Sequence, residues 1–237
     1  MAQAFNRRIS AHERTIDLTL VKLEKLGIRG FKNRTRLMSN FSKSPVKSAT
    51  RFARAVSWMA HPLVFVTVSV GIVVVSQVTR RDALSILLVL FVSVILPTAL
   101  LLLGGVRSGH WSDADISVRM ERKRFYPVII PLLAIGIVAL WSLRASNFVL
   151  RGALVTFALF TLAAIANFRI KLSLHALFAF YCSVILLRIN PLFGGIAFAL
   201  AIILFWSRLY LRRHDVAEML IGTLLGLGGG IIAAWWS

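Results

Sequence analysis

The chain has 237 residues, 58% of them hydrophobic, with 28 Lys/Arg against 9 Asp/Glu and a formal net charge of +19. Its mean hydropathy of +0.79 excludes an ordinary soluble domain, and its apolar runs are continuous rather than alternating, which excludes a transmembrane barrel. What remains is an all-α polytopic bundle in lipid, where only helices or closed barrels satisfy their own backbone. The basic charge then reads as membrane topology and attraction to anionic headgroups rather than nucleic-acid binding.

Residues 1–55 form a basic segment carrying thirteen of the Lys/Arg, with no signal-peptide pattern. Between Ile9 and Leu26, the apolar set Ile16, Leu18, Leu20, Val21, Leu23 and Leu26 suits an amphipathic helix lying on a membrane surface. Residues 30–50 read as a polar, loosely structured tether. Residues 56–237 form the membrane domain. Its predicted spans are Trp58–Val78, Leu84–Leu103, Val128–Leu143, Phe148–Phe168, Ser173–Leu187, Pro191–Leu211 and Val216–Trp236. A span takes about 20 residues, and the third and fifth fall short of that, so about six to seven spans are expected. Thr79-Arg80-Arg81-Asp82 and Arg188-Ile189-Asn190-Pro191 close hairpins. Trp235 and Trp236 suit an interfacial anchor. The single cysteine, Cys182, lies in an apolar run and reads as a small buried hydrophobe; no disulfide and no Cys-based metal site is expected.

With seven spans, the N-terminal segment, the 104–127 loop, the 169–172 turn and the 212–215 turn share one side and hold most of the Lys/Arg. The other side holds Arg80, Arg81, Arg144, Arg151 and Arg188. The positive-inside rule puts the first side, with the N-terminus, in the cytoplasm of a multi-pass cell-membrane protein. Asp113, Asp115, Glu121, Asp215 and Glu218 all fall in the three interruptions on that side, which points to one shared site there.

The chemistry is densest in the third interruption: Ser207-Arg208, five residues, His214, three residues, Glu218. Charged groups at membrane depth are costly and tend to mark function. Arginine holds a phosphate through two parallel hydrogen bonds, histidine attacks or moves a proton, and a carboxylate four residues on shares the histidine's helix face. The first interruption runs from Ser112 to Pro127 and carries Asp113, Asp115, Arg119, Glu121, Arg122, Lys123 and Arg124. The second reads Arg169-Ile170-Lys171-Leu172-Ser173-Leu174-His175.

In this order, over residues 58–236, the three stretches resemble the signature motifs of the type-2 phosphatidic acid phosphatase family. The family's third motif, Ser-Arg-x5-His-x3-Asp, is met with Glu218 in place of Asp. Its second, Pro-Ser-Gly-His, is met at Ser173 and His175, with Leu172 and Leu174 in the other places. Its first, Lys-x6-Arg-Pro, aligns on Arg122, with Asp115 at the Lys position and Lys123 at the Pro position. The resemblance implies a lipid phosphate phosphatase with a phosphatidic acid phosphatase core, needing no metal or cofactor. His214 is then the nucleophile, Glu218 orients it, and His175 is the general acid and base. Arg208, Arg122, Arg119, Lys171, Ser173 and Ser207 bind phosphate. Phosphatidic acid, phosphatidylglycerol phosphate and prenyl phosphates or diphosphates are the implied substrates, with membrane lipids as the surroundings.

Three alternatives stand beside this reading. Arg107-Ser108-Gly109-His110 is closer to Pro-Ser-Gly-His, which would make His110 the acid, but it precedes the Arg-rich stretch and so reverses the motif order. The departures in the first two motifs suit a catalytically inactive lipid-phosphate-binding scaffold. Asp113 and Asp115 beside arginines suit a magnesium-dependent prenyltransferase, but no second Asp-rich motif accompanies them.

Overall fold

The computed structural model of the chain describes residues 45–116 and 118–235. The surface helix expected over Ile9–Leu26 and the anchor residue Trp236 lie outside these. The chain divides into two compact units, Met1–Arg51 and Phe52–Ser237, and the second holds the helical bundle. Every regular element among the described residues is helical: α1 (Pro45–Met59), α2 (Pro62–Gln77), α3 (Arg80–Leu90) running through a π-helical turn (Phe91–Ile95) into α4 (Leu96–Arg107), α5 (Arg119–Ser142), α6 (Asn147–Ala166), α7 (Leu174–Ile189), α8 (Pro191–Tyr210) and α9 (Val216–Trp235).

Among the described residues, five helices are long and apolar enough to cross a membrane. A sixth is added if the pair Ser48–Met59 and Pro62–Gln77, bent by 52°, is taken as one span. The seven apolar runs expected from sequence all become helices, but they are not equivalent. α7 has 16 residues and is buried from His175 to Leu186 without a break. A helix apolar all round and buried all round belongs in the middle of a bundle; α8, α9 and α2 pack around it, and Tyr181 reaches α6 by donating to Gly152 O at 2.7 Å.

Local signals set the breaks between helices. Pro62 opens α2 behind His61, whose ring accepts from Leu63 N–H. Thr79 caps α3 through Asp82 N–H, and Asn190 caps α8 through Leu192 and Phe193 N–H with Pro191 at the first helical position. Short polar acceptors at these positions satisfy the donors that a helix start leaves open, and proline fits there because it has no N–H to lose. Pro97 explains the π turn: it offers no N–H to the carbonyl four residues back, and Leu96 N–H bonds to Phe91 O instead.

Two stretches expected to be irregular are helical. Pro45–Thr50, read from sequence as tether, belongs to α1. The loop expected over 104–127 shrinks to 108–118, because α4 runs on to Arg107 and α5 begins at Arg119 and passes through Pro127 and Pro131. Proline inside a helix frees the carbonyl four residues earlier. For Pro127 that is Lys123, which is exposed, so water can take the bond. Prolines in membrane helices are tolerated on such terms.

α7 and α9 pack backbone to backbone. A Cβ on Gly222 would stand 2.6 Å from Ser173 O, and one on Gly226 would stand 2.3 Å from Leu177 O. Small residues four apart let membrane helices approach this closely. Neither obstacle is a movable side chain, so Gly226→Val is expected to destabilise the bundle by about 1–3 kcal/mol or more. Gly228, whose Cβ would meet nothing within 4 Å, serves as the control. Thermal unfolding of the two variants in detergent measures the difference.

Candidate functional site

Four breaks meet at one end of the bundle: the α1–α2 bend, the 108–118 loop, the α6–α7 turn and the α8–α9 turn. The last is built most tightly. Arg212 N–H bonds to Leu209 O and Arg213 N–H to Arg208 O, with Arg212 at φ 52°. This is the Schellman pattern, with the left-handed position held by a residue other than glycine. Asp215 Oδ1 then accepts from Glu218 N–H at 2.8 Å and caps α9. His214 is fixed between a helix stop and a helix start.

His214 is 6% exposed. Its Nδ1 lies 2.6 Å from Glu218 Oε2, and its Nε2 has no protein partner. A carboxylate accepts only, so Nδ1 carries the proton and Nε2 presents its lone pair. Burial, reinforced by Arg208, Lys171, Arg122 and His175, pushes the imidazole pKa down to about 2, so His214 is neutral at ordinary pH. Lys171 donates to Arg213 O at 2.9 Å and stands 4.0 Å from Glu218 Oε2; burial lowers its pKa too.

The second half of the cluster centres on Asp115, in the loop before α5. Arg208, 1% exposed on the last turn of α8, places Nη1 at 2.6 Å from Asp115 Oδ2 and donates from the same nitrogen to Ser57 Oγ at 2.7 Å. Its Nε and Nη2 have no protein partner. Asp115 Oδ1 lies 3.4 Å from His175 Nε2 and 3.7 Å from His61 Nε2. The contact to His175 lacks hydrogen-bond direction, which leaves His175 Nε2 unpartnered as well. The rings of His61 and His175 meet edge to face with centroids 5.6 Å apart. Burial works against the charge on Asp115, but His175 and Arg208 outweigh it and hold the carboxyl well below the usual carboxylate range.

The structure sorts the remaining predicted residues. Arg122 is 1% exposed and donates to Ile116 O at 2.9 Å and Leu172 O at 2.5 Å. It thereby holds Ile116 at φ 46°, a conformation a β-branched residue rarely adopts, and ties the 108–118 loop to the start of α7. Arg119 is committed elsewhere, donating to Asn167 O at 2.7 Å and to Phe168 O and so capping α6. Ser173 Oγ caps α7 through Ala176 N–H, while Ser173 N–H bonds to Glu218 O. Ser207 Oγ donates to Ala53 O at 2.6 Å, which pins α8 to α1 instead of facing the cluster. His110 is exposed, with Nδ1 2.7 Å from Ser108 Oγ, and shares a separate surface hollow with Trp111 and Arg124. His175, not His110, stands beside Arg208.

Sequence reasoning missed His61, Ser57 and the pairing role of Asp115. His61 sat inside an expected span, yet a histidine directly before Pro62 at membrane depth is a cap signal and a costly residue at once. The sequence places Asp115 in the shared site, as a motif departure and as half of an Asp-rich pair, but not as the partner of a buried arginine.

The arrangement is suited to a small oxyanion. Buried polar atoms are nearly always paired, and here four of them, His175 Nε2, His214 Nε2, Arg208 Nε and Arg208 Nη2, lie unpaired on three mutually interacting side chains. They sit beside the first turns of α7 and α9, whose positive ends favour an anion. No protein-family model, curated protein or solved structure matches the chain.

Removing Asp115 leaves the Arg208 charge buried and unpaired. Asp115→Ala is expected to cost about 3–5 kcal/mol, whereas Arg213→Ala, which loses the exposed pair to Asp113, is expected to cost less than about 1 kcal/mol. Denaturant unfolding in micelles separates these. A further expectation concerns pH. His214 binds a proton in the unfolded chain below about pH 6.5 but not in the folded one, so its contribution to stability is unchanged above that pH and falls as acid is added, by at most about 1.4 kcal/mol per unit. Melting temperature should drop between pH 7 and 5, and His214→Gln should flatten that slope.

Proposed function

We propose that the chain is an integral-membrane lipid phosphate phosphatase built on a type-2 phosphatidic acid phosphatase core, working through a phosphohistidine with its site on the cytoplasmic face. The observation that carries this reading is His214: a buried neutral imidazole with one nitrogen fixed by Glu218 and the other open beside Arg208. In the first step His175 takes up the proton that the phosphate monoanion carries in, His214 Nε2 attacks phosphorus, the bond to the leaving oxygen breaks, and His175 passes that proton to the alkoxide. In the second, His175 takes a proton from water, the hydroxide attacks phosphorus, and inorganic phosphate leaves with His214 restored. Arg208 Nε and Nη2 meet charge on the phosphoryl oxygens, and the start of α7 adds its positive end. Glu218 stabilises the charge that develops on His214 during attack.

A second reading has its own observation. Two Arg122 donors are bound to backbone carbonyls and Arg208 already holds Asp115, which suits a non-catalytic binder of lipid phosphate. The test is phosphate release from phosphatidic acid, phosphatidylglycerol phosphate and farnesyl phosphate in detergent with chelator present. Vanadate-sensitive release is expected. His214→Ala should lower it by roughly a thousandfold or more, and His175→Ala by about a hundredfold to ten-thousandfold. Vanadate binding without turnover across the panel favours the binder; full turnover in His214→Ala removes the nucleophile assignment.

A further inference from the structure

Inward from the polar cluster the bundle is hollow. A cavity of about 100 Å³ is bounded at one end by His61, Asp115, Arg122 and His175 and further in by Leu102, Ile129 and Phe178. A second cavity of about 130 Å³ extends to Gly136, Gly152 and Cys182. The two share the wall residues Val66, Thr67, Val94, Ile95, Leu133 and Thr156, so they are lobes of one channel.

The walls of this channel are apolar in effect as well as in composition. The threonine hydroxyls within it turn back onto their own helices, Thr67 Oγ1 to Leu63 O at 2.6 Å, Thr98 Oγ1 to Val94 O at 2.6 Å and Thr156 Oγ1 to Gly152 O at 2.8 Å, and Tyr181 Oη donates to Gly152 O at 2.7 Å. The fold also builds the space deliberately. The π turn places Val94 and Ile95 in the wall, and Gly152, whose Cβ would meet only Tyr181 Oη at 3.8 Å, leaves out a side chain. Protein interiors are otherwise close-packed, and unfilled apolar voids weaken a fold. An apolar cavity of roughly 150 Å³ stays dry and takes up a benzene-sized guest, so each lobe is of the size that a short run of hydrocarbon fills.

One end of the channel is therefore charged and polar, at the cluster that meets an oxyanion, and the rest is hydrocarbon-like. The amphiphile that matches is an anionic head on a hydrocarbon chain. We propose that this channel receives one hydrocarbon chain of the lipid phosphate whose headgroup the Arg208–His214 cluster binds, and that chain occupancy sets which lipids are turned over. The headgroup half of this proposal rests on the phosphatase reading; the chain half does not need turnover.

The probe is an alkyl monophosphate with a diazirine at its far end, photolysed with the full chain in detergent and mapped by mass spectrometry. Adducts are expected on Phe178, Tyr181 and Cys182 of α7, which line the channel and are buried from lipid. Val66→Phe and Ile95→Phe narrow the waist between the lobes from two different helices and should each reduce those adducts on the order of tenfold. In turnover assays, the ratio of kcat/KM for dodecyl phosphate to that for butyl phosphate is expected to exceed roughly tenfold, since the longer chain buries more apolar surface in the channel, and to fall in both variants. Adducts confined to lipid-facing residues such as Trp141 and Leu224 overturn the channel even if phosphate is released. Adducts on α7 without any phosphate release uphold the channel and overturn the phosphatase.

Discussion

A buried guanidinium near the end of a membrane helix is the constraint around which the rest of the site is arranged. Arg208 is 1% exposed, and a charge so placed is tolerated only with a partner close by. Asp115 is that partner, and it comes from a loop 93 residues earlier in the chain. The loop is held in place in turn: Arg122 grips Ile116 O, and Leu172 O ahead of α7 accepts from the same side chain. Ser57 adds a third element by accepting from Arg208. One fixed positive charge thus enlists α1, the 108–118 loop, α5 and the start of α7, and brings His175 alongside as a consequence.

Three histidine–carboxylate contacts result, and the two shortest differ in kind. His214 and Glu218 are four residues apart at a helix start and meet at 2.6 Å, so local geometry alone makes that pair. His175 and Asp115 meet at 3.4 Å, through tertiary packing and without hydrogen-bond direction. The local pair is rigid and sets a tautomer. The distant pair shares its carboxylate with an arginine and a second histidine, so a change at Asp115 reaches Arg208, His175 and His61 together.

How much of this was legible in the sequence depended on the range of the interaction. The helices were readable because each apolar run and each capping residue acts locally: Thr79, Asn190 and Ser173 stop or start helices where they stand. The His214–Glu218 pair was readable for the same reason. Arg208 was readable because its position inside an apolar run is costly wherever its partner lies. What was not legible required knowing which loops meet. The family resemblance implies Arg119 and Ser207 as phosphate ligands, yet both donate to backbone carbonyls of a neighbouring element. His61 looked like part of a span, and only the fold brings it against Asp115. The extent of α5 was hidden by Pro127, whose local cost is offset by the exposure of the carbonyl it frees.

The shortness of α7 carries a consequence for depth. α7 and α8 share the Asn190 turn, so their ends there are level. At about 1.5 Å per residue, α8 rises about 30 Å and α7 about 24 Å. His175 and Arg208 therefore stand about 21 Å and about 26 Å from that level, both short of where α8 ends. An anion that reaches these two buried side chains passes inside the rim of the bundle and loses part of its water shell on the way. Reaching the site and shedding solvent become the same movement.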